Sequence, residues 1–217
     1  MSPKGRANPR DPRAGVGAAS SVKAPATSLP ARLPALVPGD LDEAQRAVYD
    51  AITRGRRAEG QQLFRLTNDD GGLAGPFNAF LLQPRVGGPL QAVGSAIRYE
   101  TDLSDRAREI AILVVAAHWQ SEFEWYAHEA VGRQAGLTSA ELDAISHGDH
   151  SGLPEGERVV ADTAAALASR ADLDDAAYGE AVEVLGQAGL FELTTLVGYY
   201  ALLALQLRVF RVGAPSA

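Results

Sequence analysis

Residues 104–136, SDRAREIAILVVAAHWQSEFEWYAHEAVGRQAG, decide how the rest of the chain reads. Ile110, Leu113, Val114 and Ala117 fall at helical spacing and lead into a short break. Ser121, Glu124 and His128 then follow at offsets of three and four, which places side chains on one helical face. A hydroxyl, a carboxyl and an imidazole therefore line one stripe directly after a block of core residues. The same residues have a purely structural reading. Ser-x-x-Glu is a capping box, in which the Ser121 hydroxyl accepts from the amide of Glu124 and the Glu124 carboxylate returns to the amide of Ser121. His128 is then an ordinary partner one turn further on. The two readings are compatible, since a capping carboxylate can also move protons.

Helical patterns continue on both sides of this stretch. Asp40 is a good N-cap for a helix carrying Leu41, Ala44, Val48 and Ile52 inward and ending by Gly60. Residues 61–76 are rich in turn formers and read as a loop. A short helix, FNAFLLQ, stops at Pro84, and another runs from about Pro89 with Leu90, Val93 and Ile97 inward. Gly136 is a natural left-handed terminator, and Thr138-x-x-Glu141 opens a further helix through Ile145. His147 and His150 fall in a loop with Asp149, an incomplete metal-ligand set that reads as solvent-exposed. Val159, Val160, Thr163 and Leu167 mark the next helix. Asp174 caps another that ends at Gly189, and a last helix, apolar almost all round, must be buried on most sides. No segment alternates with period two, so the fold class is all-α.

Composition bounds the function. The chain has 217 residues, 46% of them hydrophobic, enough for one substantial domain. It contains no cysteine, which excludes disulfides, thiolate ligands and cysteine nucleophiles. Residues 1–38 hold seven of the 12 prolines and a net charge of +5, leaving −12 on residues 39–217 of a chain whose total is −7. The first segment reads as a flexible Pro/Ala/Arg-rich tail, the second as a single helical domain. An acidic body repels a phosphate backbone, so no nucleic-acid partner is expected. The longest apolar run, Leu196–Leu205, is ten residues, below the roughly 20 that cross a bilayer. No membrane partner and a cytoplasmic location are the expectations.

The central segment resembles the carboxymuconolactone decarboxylase family, within the alkylhydroperoxidase-D-like superfamily. The residues that carry the resemblance are R-x-R-E-x-A-I-L at Arg106–Leu113, S-E-F-E-W-Y-A-H at Ser121–His128 and A-G-L-T at Ala135–Thr138. Residues 75–100 and 191–210 look like the family's preceding and closing helices, so the resemblance spans roughly residues 40–212. It implies an alkylhydroperoxidase-D-like helical bundle that assembles into homo-oligomers, trimers or hexamers. In the superfamily's peroxidase branch a C-x-x-C pair and a histidine, helped by an upstream glutamate, perform thiol peroxidation. Here Ser121 and Glu124 stand at the cysteine positions, His128 matches the histidine and Glu109 the upstream glutamate. A serine hydroxyl forms neither a sulfenic acid nor a disulfide, so that chemistry is excluded.

The decarboxylase branch needs no cofactor and no metal, and it implies a small anionic organic substrate. By this resemblance His128 is the general acid, Glu124 orients it, Glu109 relays protons behind it, and His118 with Trp119 forms a pocket wall or holds the substrate carboxylate. Each residue has a plainer reading. Glu109 pairs with Arg106 or Arg108, His118 is a helix C-terminal cation, and Arg98 and Arg133 sit on an exposed face when they are not binding an anion. Tyr199 and Tyr200 suit a core or an oligomer interface. Three functions follow in order: a cofactor-independent lyase or hydrolase acting on a carboxylated lactone or oxo-acid; a non-catalytic oligomer of the same fold; and a cysteine-free peroxide enzyme needing a partner or a metal, the latter held by His118, His128 and Glu124. What separates the first from the second is whether Glu109, His118, Glu124 and His128 converge on one enclosed pocket.

Overall fold

The computed structural model describes residues 30–59 and 61–215. Among the described residues the architecture is helical throughout: α1 (Glu43–Thr53), α2 (Phe77–Phe80), α3 (Pro84–Tyr99), α4 (Asp105–Trp119), α5 (Glu122–Gln134), α6 (Ser139–Ser146), α7 (Glu155–Arg170) and α8 (Asp175–Phe210). The β feature is one isolated antiparallel bridge, Thr67 to Leu73, inside the otherwise irregular segment 61–76.

α4 is the central helix. The Ser104 hydroxyl accepts from the amide of Ala107, and every residue from Ala107 to Ala116 is buried. The expected one-sided stripe is therefore a helix covered on all sides, because α5, α6, α7 and α8 all pack on it. Ile110, Ile112, Leu113 and Val115 are fully enclosed, each contributing about 1.5–3 kcal/mol through burial. Gln120 ends the helix in the left-handed region (φ 51°, ψ 46°). That reversal lets the amide of Ser121 donate to the carbonyl of Ala116 at 2.9 Å and starts α5 at once.

Several boundaries differ from the sequence expectation. The first α-helix is capped by Asp42 through a complete capping box with Gln45, while Pro38–Asp40 forms a short 3-10 turn before it. It stops at Thr53, well before Gly60. α3 starts at Pro84, whose ring suits a first helical position, and carries Pro89 inside the helix, where it has no amide to donate to the carbonyl of Arg85. Its inward face is Gly87, Gln91, Gly94 and Ile97, with Val93 exposed. Thr138 makes both halves of its expected capping box, and Asp174 caps α8 through the amide of Ala177. The break in the final helical run lies at Gly186 (φ 69°, ψ 171°), not Gly189.

The reading of residues 1–38 as a free tail meets two outcomes. Residues 1–29 lie outside the described residues. Residues 30–37 are tied down: the amide of Arg32 donates to the carbonyl of Phe210 at 2.9 Å, and Asn78 Nδ2 donates to the carbonyl of Pro34 at 2.8 Å. α8 is also longer than its apolar core suggested. By length and composition alone it is sufficient to cross a bilayer. In this fold Leu193, Leu196, Leu203 and Leu207 are instead buried, and the helix packs on α4 and α7.

Candidate active site

Five elements supply one buried polar cluster. α4 brings Glu109, α5 brings Glu124 and His128, α3 brings Arg98, and α8 brings Tyr199 and Tyr200. The 3-10 turn Arg56–Ala58 brings Arg57. His128 Nδ1 lies 2.7 Å from Glu109 Oε2, and Arg98 Nη1 lies 3.4 Å from Glu109 Oε1. The neighbouring arginines on α4 are engaged elsewhere. Arg106 binds Glu157, Glu141 and the carbonyl of Gly136, and Arg108 binds Asp105 and the carbonyl of Leu103. A carboxylate on Nδ1 fixes the imidazole proton there, leaving the Nε2 lone pair as acceptor. Burial lowers the proton affinity of His128, with the Glu109 carboxylate opposing in part, so the ring is neutral at pH 7.

Glu124 is 2% exposed, and neither carboxyl oxygen has a hydrogen-bond partner. Burial pushes its pKa up to about 8, while the Ser121 hydroxyl pulls weakly the other way without a hydrogen bond of good geometry. The capping-box expectation therefore fails. Ser121 is the N-cap of α5 but makes no side-chain cap, and its own amide already donates to Ala116. With that donor taken, the Glu124 side chain turns into the interior. His128 likewise takes Glu109 as its partner, not Glu124.

Glu124, His128, Tyr199 and Tyr200 line a hollow of about 30 Å³, walled also by Arg57 and Arg98. That is room for about one water molecule. Tyr200 meets His128 edge-on with ring centroids 5.1 Å apart, and Tyr199 meets Tyr200 at 5.5 Å. The buried Tyr199 hydroxyl has no partner, and desolvation pushes its pKa up to about 12. Gly94 makes this packing possible: a Cβ there would overlap both the Tyr199 hydroxyl and the Arg57 guanidinium. Among the described residues Arg57 bonds the neutral amide of Gln91, Nε to Oε1 at 2.9 Å, and stacks over Phe77 at 5.1 Å. Glu109 balances Arg98, and Glu124 and His128 are uncharged at pH 7. One positive charge, that of Arg57, is left over.

The expected four-residue convergence is thus incomplete. His118 is exposed near the end of α4, its ring against Trp119 at 6.0 Å, and lies outside the hollow. Two residues past the buried stretch, near the helix end, the chain has simply reached the surface. Trp119 does not line the hollow either. Arg98, read as surface by default, is in the cluster, whereas Arg133 is exposed and pairs with Glu129 at 2.7 Å. His150 is buried against Asp162 at 2.8 Å, contrary to expectation, while His147 is exposed. Among the described residues no three His, Asp or Glu side chains group closely enough to hold a metal. Nothing in the sequence singles out Arg57, and the two tyrosines carry only a core or interface signal there.

No family model matches the chain, and no curated protein matches it. Solved structures do. A peroxidase-related protein with the alkylhydroperoxidase AhpD core from Ralstonia eutropha JMP134 superposes with a TM-score of 0.68 at 14% identity, covering 86% of this chain and 93% of that one. A peroxidase-related protein from Silicibacter sp. TM1040 gives 0.67 at 15% identity, with the same coverage. The debrominase Bmp8 in complex with 2,3,4-tribromopyrrole gives 0.66 at 12% identity, covering 87% of this chain and 94% of that one. The fold is therefore the AhpD-like helical fold, as the sequence implied.

Proposed function

We propose that the protein is a cofactor-independent lyase that decarboxylates a small carboxylated lactone or oxo-acid. The observation that carries this reading is Glu124, a buried and unpartnered carboxyl kept protonated at neutral pH beside a neutral imidazole and two guanidinium groups. Environments that push two titratable groups in opposite directions assign acid and base roles. Glu124 is the acid and His128 the hydrogen-bond acceptor, which reverses the roles the resemblance implied.

The substrate carboxylate is held by Arg57, whose charge the site leaves unmatched. When its C–C bond breaks, carbon dioxide departs and the bonding electrons move onto the lactone or oxo group as an enolate. The guanidinium groups and the Tyr199 hydroxyl stabilise that charge in a water-poor site. Glu124 then delivers its proton to carbon, and the resulting carboxylate regains one from solvent. Ser121 offers the path, because it stands beside Glu124 and also lines an open groove of about 880 Å³. Glu109 is a positioning residue that fixes the His128 ring.

A hollow sized for one water must open for such a substrate. The walls from α5 and α8 are helical, whereas Phe64 and Pro76 come from the irregular segment, and that is the wall that yields.

The test is a screen of carboxylated lactones and oxo-acids for carbon dioxide release by wild type, Glu124→Gln and His128→Ala, with folding checked by circular dichroism. Turnover that falls ~10²–10⁴-fold in Glu124→Gln supports the acid role. Equal rates in wild type and Glu124→Gln overturn it.

A further inference from the structure

A second hollow of about 190 Å³ adjoins the site. Arg57, Phe64 and Arg98 line both cavities, so they form the partition between them. The outer wall on α5 is Val131 and Gln134, and Arg56 lies over the Tyr99 ring at 4.6 Å on the opposite side. Arg98 is 17% exposed and pairs with Glu109 on the inner side. Arg57 is neutralised by no carboxylate among the described residues, and its one side-chain hydrogen bond uses Nε. Its two terminal nitrogens are thus available at the partition, where an anion reaches both chambers.

We infer that the two hollows are one binding site, in which a carboxylate sits at the Arg57/Arg98 partition and the rest of the ligand fills the outer chamber. The carbon that bears the carboxylate then lies at the partition, facing the inner hollow that Glu124 lines. An outer space of about 190 Å³ holds roughly six water-sized groups, so the ligand class is a monocarboxylate with a tail of about that size. The tail meets Phe64, Leu63 and Val131 on apolar sides and Gln62, Gln134 and the exposed acid Glu59 on polar ones, so it carries no second negative charge. This inference rests on the anion-binding half of the proposed function and is independent of turnover.

Calorimetric titration of the full chain with acetate, which has no tail, and phenylacetate, whose tail is a six-carbon ring, tests it directly. Phenylacetate is expected to bind wild type at least tenfold more tightly than acetate. Val131→Trp, which fills the outer chamber, removes that advantage and leaves acetate binding unchanged. Gln134→Trp narrows the same chamber from an exposed position and serves if Val131→Trp does not fold. Arg57→Gln weakens both ligands at least tenfold. Equal affinities in wild type overturn the inference, as does a phenylacetate advantage that survives both tryptophan variants. Carboxylated lactones and oxo-acids that bind this way but are never turned over sink the lyase reading alone. Turnover that is indifferent to a filled outer chamber sinks the two-chamber site alone.

Discussion

At the scale of single residues, Glu124 dominates the expected pH behaviour. Its folded pKa of about 8 lies above its ordinary value, so the stability it contributes is complete below pH 4.5 and is lost as pH rises through 8. The folded Glu124→Gln variant cannot ionise there. It is expected to gain on wild type by up to about 5 kcal/mol between those limits, read as Tm against pH. His128 acts with the opposite sign. Its folded pKa is depressed, so protonation of the unfolded chain destabilises the protein as pH falls below the ordinary histidine range. Glu109→Gln keeps an acceptor on Nδ1 but strips Arg98 of its carboxylate. It should cost about 3–5 kcal/mol in chemical denaturation, because it leaves a buried charge uncompensated. The helical offsets of Ser121, Glu124 and His128 were legible in the sequence, and so was the alignment of Glu109. The pairing was not. Whether Glu124 caps its own helix or faces inward depends on the Ser121 amide, whose partner Ala116 is set by the reversal at Gln120. Arg57 carries no signal, since nothing in RGRR at residues 54–57 distinguishes it from Arg54 or Arg56.

At the scale of elements, the helices were readable because their caps are local. Ser104, Thr138, Asp174 and Gly136 behave as their residue types dictate. The inward face of α3 was misread because it is lined by glycine and glutamine, not by an apolar stripe. Gly87 and Gly94 there admit close neighbours: a Cβ at 87 would meet the backbone of Phe80, and one at 94 the site itself. Gly94→Ala should cost about 1–3 kcal/mol by overpacking and displace Tyr199 and Arg57. A loss of phenylacetate affinity larger than the stability loss explains would show that the displacement reaches the site. Gly186 has open space around it but a positive-φ extended backbone that essentially only glycine adopts. Gly186→Ala should therefore lower stability by about 1–3 kcal/mol through strain alone, with ligand affinity unchanged.

At the scale of the whole molecule, α8 is apolar on two sides. Leu193, Tyr200 and Leu207 face the core, while Phe191, Leu202, Leu205 and Val209 are exposed, Phe191 by 72%. Thr194 and Gly198 continue the outer row at helical spacing, so the stripe has no charge and a small residue at its centre. Such a stripe is complementary to another copy of itself, and we expect a homo-oligomer built on it. Light scattering on wild type and on Phe191→Glu/Leu205→Glu checks this. A monomeric wild type rules it out, and a monomeric variant from an oligomeric parent supports it.

The two tyrosines of the site project from the far side of that same helix. A neighbour that grips the outer row would brace the wall behind the hollow, so protein concentration and ligand uptake would be thermodynamically linked. Whatever factor assembly adds to affinity, the ligand must return to assembly. Dilution would then loosen the grip on phenylacetate, and saturating phenylacetate would hold the complex together at concentrations where the empty protein falls apart.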